Sequence, residues 1–390
     1  MDELATQSGE QNYHGLAKFF RAVLFTQMTE TFGDIPYSES LGALNGNTKP
    51  KYDSQEQVYV GVLQELDEAN AILDDGNGNI GGDIIYNGKA SQWKKLVNAY
   101  RLRLLIHLSK KEANASLNIK QQFQSIISDP AKYPLMTSGA DNGQIVYNSS
   151  ATSNYYPTAG SLSLGTAVSL EEGIADILKA RNDPRIFSFG EPITGLPANV
   201  IANYDGVNAG LTVADQQSAS ASASRVNRRF SDLTKPANEP MIFVGYAEQE
   251  FLIAEAISRN WITGAGTAAD HYNNGITASM EFYDIGGAAI ATYLAGPQVV
   301  FNPANAIEMI IIQKYIALFM QSGWEAFFEQ RRTGFPHLNV GPGTYNDGLV
   351  PKRWLYPQSE YDYNNVNVEA AVASQYGGDD NVNGVMWILQ

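Results

Sequence analysis

In the stretch SQWKKLVNAYRLRLLIHLSK, Trp93, Leu96, Val97, Tyr100, Leu104 and Leu108 recur every three or four residues, the period of one face of an α-helix. Leu102, Leu105 and Ile106 add a second apolar face, so this helix is expected to be covered on more than one side. The same spacing predicts helices over 16–31, 54–73, 119–127, 246–258, 268–283 and 306–332, the last interrupted near Gly323. Strand-like alternation is scarce between them. The fold class this predicts is mostly α.

The predicted helices form neighbouring pairs: 16–31 with 54–73, 92–110 with 119–127, 246–258 with 268–283, and 306–322 with 324–332. About four helix pairs, with small residues such as Ala99, Ala254 and Ala278 for close approach, suggest a tetratricopeptide-repeat-like helical scaffold with long irregular loops packed over it. We expect one domain: scaffold at 16–128 and 241–335, a loop-rich ligand-facing region at about 129–240, and an extended C-terminal region at 336–390. The loop-rich region shows one clear helix, 170–181, set in Gly, Ser, Asn and Tyr. Long irregular segments of this kind serve binding or stay mobile. SASASASRVNRRF, 218–230, reads as mobile, whereas YNSSATSNYYPTAG, 147–160, holds many rings.

QKYIALFMQSGWEAFFEQRRTGFPHL, 313–338, poses a sharper question, because two arginines end an apolar run. Trp324, Phe327, Phe328 and Arg331 share a helical face, Arg331 and Arg332 fall in a last turn where cations complement the helix dipole, and Gly334 and Pro336 stop the helix. The stretch reads as the end of a scaffold helix. Glu255 on the 246–258 helix is expected to form a buried structural pair with an arginine such as Arg332.

Composition narrows the function. The chain has 390 residues, 44% of them hydrophobic, enough for a large core. Its net charge of −15 repels phosphate backbones and anionic lipid, so no nucleic acid is expected as partner. With no cysteine, thiol catalysis, disulfides and cysteine-held metals are excluded. No run reaches the ~18 apolar residues of a spanning helix, and any export signal or anchor is expected upstream of the polar start MDELATQSGE.

No cofactor or metal is expected. The histidines, His14, His107, His271 and His337, are scattered without zinc-site spacing. DDGNGNIGGD is like a calcium loop, but Ile80 and Tyr86 stand where an EF-hand needs Gly and Glu, so a helix connection is the better reading. Gly-x-Ser-x-Gly, Walker and dinucleotide motifs are all missing, and acid pairs such as Glu248 with Glu255 or Glu325 with Glu329 arise by chance in so acidic a chain.

IIIQKYIALFMQSGWEAFFEQRRTGFPHL followed by VPKRWLYPQSEYDYNNVN resembles the C-terminal half of the SusD/RagB-like nutrient-binding outer-membrane lipoproteins of Bacteroidetes. FTQMTETFGDIPYSESL, KPKYDSQEQVYVGVLQELDEA, GDIIYNGKASQWKKLVNAYRLRLLIHLSK, LKARNDPRIF and YAEQEFLIAEAISRNWITG occur in the family's order. The resemblance implies a non-catalytic, glycan- or oligosaccharide-binding lipoprotein. It would be exposed at the cell outer membrane and deliver nutrients to a SusC-like TonB-dependent transporter. Membrane attachment would come only through an N-terminal lipid anchor. That anchor and the family's N-terminal segment are expected to be absent from this chain.

Glycan sites combine ring faces with Asn, Asp or Arg for the hydroxyls. Tyr147, Asn148, Asn154, Tyr155 and Tyr156 supply that mixture, and Asn203, Tyr204 and Asp205 supply a second, which also reads as a turn cluster. Two other functions share these features: a secreted all-α glycoside hydrolase and a protein-interaction helical-repeat scaffold.

Overall fold

Polar caps open helices where the spacing predicts them. Ser54 starts helix Gln55–Ile72 with a capping box, its hydroxyl accepting from the Gln57 N–H while the Gln57 side chain accepts from the Ser54 N–H. Thr267 and Asp270 repeat the device at helix Ala268–Phe282. The computed structural model describes residues 2–235 and 239–390. All eight scaffold helices expected from the sequence are present, and the fold is mostly α with tetratricopeptide-like helix pairs.

The chain divides into two compact units, one of residues 1–135, 261–265 and 350–390, the other of 136–260 and 266–349. In the first, helix Gln11–Phe32 pairs with Gln55–Ile72, and Ala90–His107 packs between Gln55–Ile72 and Ile119–Ser128. Every residue from Leu96 to His107 is buried, as two apolar faces require. The expected calcium-like loop is a helix connection: the Asp83 carboxylate accepts from the backbone N–H groups of Ile85, Tyr86 and Gly88 and from Trp93 Nε1. Its lone pairs are taken by four protein donors.

Residues 336–390, expected to be extended, contain helices Gln358–Tyr363 and Asn365–Tyr376. The second shows only a short apolar face, Val368, Ala371 and Val372, too little for its period to stand out among Asn and Ser. It packs near Arg353, whose guanidinium lies 4.1 Å from the Tyr376 ring centre and 4.9 Å from that of Tyr356 and pairs with Asp380. The chain end returns to the first unit, where the Ile388 N–H donates to Gln55 Oε1 at 2.9 Å.

In the second unit, helix Tyr246–Ser258 packs against Ala268–Phe282 and Ala306–Ala317, and the last of these against Glu325–Thr333. A close approach falls at Gly275, where a Cβ would lie 2.7 Å from the Phe251 ring. Gly334 ends helix Glu325–Thr333 at φ 84°, as the sequence suggests. Strands Gly143–Ile145 and Met241–Val244 pair antiparallel.

The loop layer has its own core: Leu170, Ile174, Leu178, Phe189 and Tyr204 pack with Tyr283, Ile312 and Ile316 of the helices. The segment 218–230, expected to be mobile, is pinned at its second half: Ala223, Ser224, Val226 and Phe230 are buried, and the Leu170 and Asn227 N–H groups bond Ser224 O and Phe189 O. The partners lie 54 residues (Ser224 to Leu170) and 38 residues (Asn227 to Phe189) upstream, so local composition could not reveal it.

Charged groups lie among these helices. Arg332 holds Glu255 with two hydrogen bonds, 2.6 and 2.8 Å, and reaches Glu329 at 2.5 Å. Lys314 lies 2.8 Å from Glu325, 3.2 Å from Glu248 and 3.4 Å from Glu329. The expected Glu255–Arg332 pair is therefore present, bidentate and buried. Burial pushes the Glu255 carboxyl up, but Arg332 and Arg259 outweigh it and hold it down at about 2.

Removing one partner of such a set strands the other. Arg332→Met is expected to cost about 3–5 kcal/mol in chemical denaturation. The Glu255 contribution is present above the ordinary carboxylate value of 4.5 and is lost as pH falls from there through about 2. Glu255→Gln should flatten that acid limb of the stability curve.

Candidate functional site

The loop 147–160 leaves strand Gly143–Ile145 and is anchored by one of its rings. Tyr156 is only 5% exposed and packs with Val226 and Phe230. Burial, with Glu239 nearby, pushes its hydroxyl up to about 12. Tyr147 lies edge-on to it at 5.4 Å and stays half-buried. Between them the turn closes on itself: the Asn148 N–H donates to Asn154 O at 2.9 Å, and Asn154 Nδ2 donates to Ser150 Oγ at 3.0 Å and Asn148 Oδ1 at 3.3 Å. Tyr155 is half-buried, and no hydrogen bond of its hydroxyl is found among the described residues.

The second predicted stretch is turned inward. Tyr204 is 2% exposed, stacks edge-on against Phe187 at 5.5 Å and donates its hydroxyl proton to Ala198 O at 2.8 Å. Asn203 Nδ2 donates to Pro197 O at 2.8 Å, and exposed Asp205 pairs with Lys179 at 3.0 Å. Tyr156 and Tyr204, two of the expected glycan contacts, are buried, each filling space between loop and helices. Tyr147, Asn148, Asn154 and Tyr155 share one loop; Asn203 and Asp205 stand on another and are engaged in its turn.

A family model described as starch-binding and associating with the outer membrane matches residues 1–357. The chain belongs to the SusD-like family. A SusD homolog from Bacteroides fragilis is 35% identical and superposes with TM-score 0.90, the match covering 97% of this chain and 84% of that one. An outer-membrane nutrient-binding candidate from Bacteroides vulgatus is 37% identical at TM-score 0.89, covering 97% and 85%. A chitin-binding SusD homolog from Flavobacterium johnsoniae is 25% identical at TM-score 0.80, covering 100% and 83%. No curated protein matches the chain.

Sequence reasoning missed other surface features of this SusD-like chain. Tyr345, 85% exposed, stands on a loop that docks on residues 210–211 through the Gly343 N–H to Gly210 O bond of 2.9 Å. Gly343 is required there, since a Cβ would lie 1.9 Å from Leu211 O. A cleft lined by Arg181, Asn182 and Gln298 was also missed, because its walls come from segments about a hundred residues apart.

Neighbouring tyrosines should separate cleanly under mutation. Tyr155→Ala is expected to leave the melting temperature unchanged and weaken glycan binding about 10-fold in calorimetry. Tyr156→Ala should instead cost about 3 kcal/mol of stability, by the mechanism of other large core truncations.

Proposed function

We propose that the chain is a non-catalytic glycan-binding protein of the cell surface that presents oligosaccharides to a TonB-dependent outer-membrane transporter. The observation that carries this reading is the loop 147–156. Its turn is fixed by its own amides, its inner ring is locked in the core, Asn148 is exposed, and Tyr155 and Asn154 stay half-exposed. A ring held in place with amides beside it binds a sugar at little conformational cost. The chitin-binding relatives support a polysaccharide-derived ligand.

The carboxylates argue against hydrolysis. A glycosidase needs an acid and a base facing each other across an open cleft. Glu248, Glu255, Glu325 and Glu329 are buried among Lys314, Arg332 and Arg259, and Glu250 bonds His271 at 2.8 Å and Asn274 at 3.0 Å. A carboxyl held at about 2, as Glu255 is, carries no proton to donate near neutral pH.

Calorimetric titration against plant, host and microbial oligosaccharides, with reducing ends measured in the same samples, tests the reading. Heat of binding without new reducing ends is expected. New reducing ends would replace the binder with a hydrolase, and capture of a β-barrel partner without sugar affinity would favour an interaction scaffold.

A further inference from the structure

Where helix Glu172–Ala180 ends beside helix Gly287–Leu294, the second unit holds a cleft of about 330 Å³. That is at the lower end of ligand pockets, ~300–1,000 Å³, and suits a ligand the size of one sugar residue. Pro184, Pro297 and Ala289 give it apolar walls, and Arg181, Asn182 and Gln298 bring polar groups to it.

Tyr293, which lines it, is bonded to a buried ion pair. Arg185 and Asp183 form a fully buried bidentate pair, with Arg185 Nη2 2.6 Å from Asp183 Oδ2. The same guanidinium reaches Ser279 Oγ at 3.0 Å, Gln313 Oε1 at 2.7 Å and the Tyr293 hydroxyl at 3.2 Å. The turn bearing Arg181 and Asn182 is thereby tied to three helices, and Asn182 itself takes a left-handed φ of 49°.

Arg181 brings the cleft its charge. It is half-buried, and its hydrogen bonding among the described residues is one donation from Nη1 to Ile177 O at 3.1 Å, which caps its own helix. Among the described residues no carboxylate pairs with it, although acids outnumber Lys and Arg by 41 to 26. Four other arginines of this unit have acids: Arg185 with Asp183, Arg229 with Glu239, Arg259 with Glu255, Arg332 with Glu255. Arg181 is felt inside the unit as well, since burial pushes the Tyr272 hydroxyl up to about 12 and Arg181 leads the groups opposing that rise. A half-buried guanidinium with four N–H donors still free is a fork for a planar or tetrahedral anion.

We infer that this cleft binds an anionic sugar residue, with Arg181 taking the carboxylate of a uronate or the sulfate of a sulfated hexose. Asn182 and Gln298 are placed for the ring hydroxyls. The site is distinct from the loop 147–156, and either can be occupied without the other.

The test titrates D-galacturonate, D-galactose 6-sulfate and D-galactose into the full chain by ligand-observed NMR at low salt. At least one acidic sugar is expected to bind at least about 10-fold more tightly than galactose and to weaken as NaCl is added. Arg181→Gln should abolish the preference with the melting temperature unchanged. Gln298→Trp, at an exposed position on the cleft, should block binding and carries the test if Arg181→Gln unfolds the helix end. The acid that binds names the anion. Equal affinity for acidic and neutral sugars, indifference to both variants, or no binding of either acid overturns the inference. Binding at the loop is read separately through Tyr155→Ala, so the two sites fail independently.

Discussion

A lysine and an arginine buried among carboxylates govern the second unit. Lys314 sits in a helix that is otherwise apolar on most sides, and it is tolerable there only because Glu248, Glu325 and Glu329 surround it. Arg332 plays the same part for Glu255 and Glu329. Apolar helices packed by surface area alone can slip by a turn at modest cost. A buried charge cannot slip, because a displaced partner leaves an ion without water or counter-ion. The ends of three helices, Tyr246–Ser258, Ala306–Ala317 and Glu325–Thr333, are therefore held to one register. The loop layer that packs on Ile312 and Ile316 inherits that register.

That constraint was partly legible in the sequence, and the reason is general. A charged residue in a helix with no wet face must have a partner, so Glu255 pointed to a cation before any coordinates. The helices themselves were legible because three-or-four-residue spacing is written locally, as in the run from Trp93 to Leu108. Helix Asn365–Tyr376 escaped because three buried residues make too thin a stripe.

The site was less legible, again for a physical reason. Composition picks out a tyrosine-rich loop, but not which of two adjacent tyrosines turns inward. In an extended segment successive side chains point to opposite sides, so one of Tyr155 and Tyr156 had to be buried, and only the position of Phe230 decides which. Tyr204 is explained by Phe187 and Ala198, neither of them readable as its neighbour. Arg181 shows the opposite case: nothing in LKARNDPRIF says that its first arginine lacks an acid while its second has one.

The return of the chain end to Gln55 has a bearing on the order of events during synthesis. The first unit is discontinuous: its helix Gln55–Ile72 is made early, and Ile388 and Leu389, buried beside it, are made more than three hundred residues later. The residues between 136 and 349 supply a nearly unbroken second unit, complete in sequence while the end is still being added. Domains fold as their parts emerge, so the interior of this chain can close before its beginning does. The pocket for Ile388 beside helix Gln55–Ile72 is filled only when that later segment has been made.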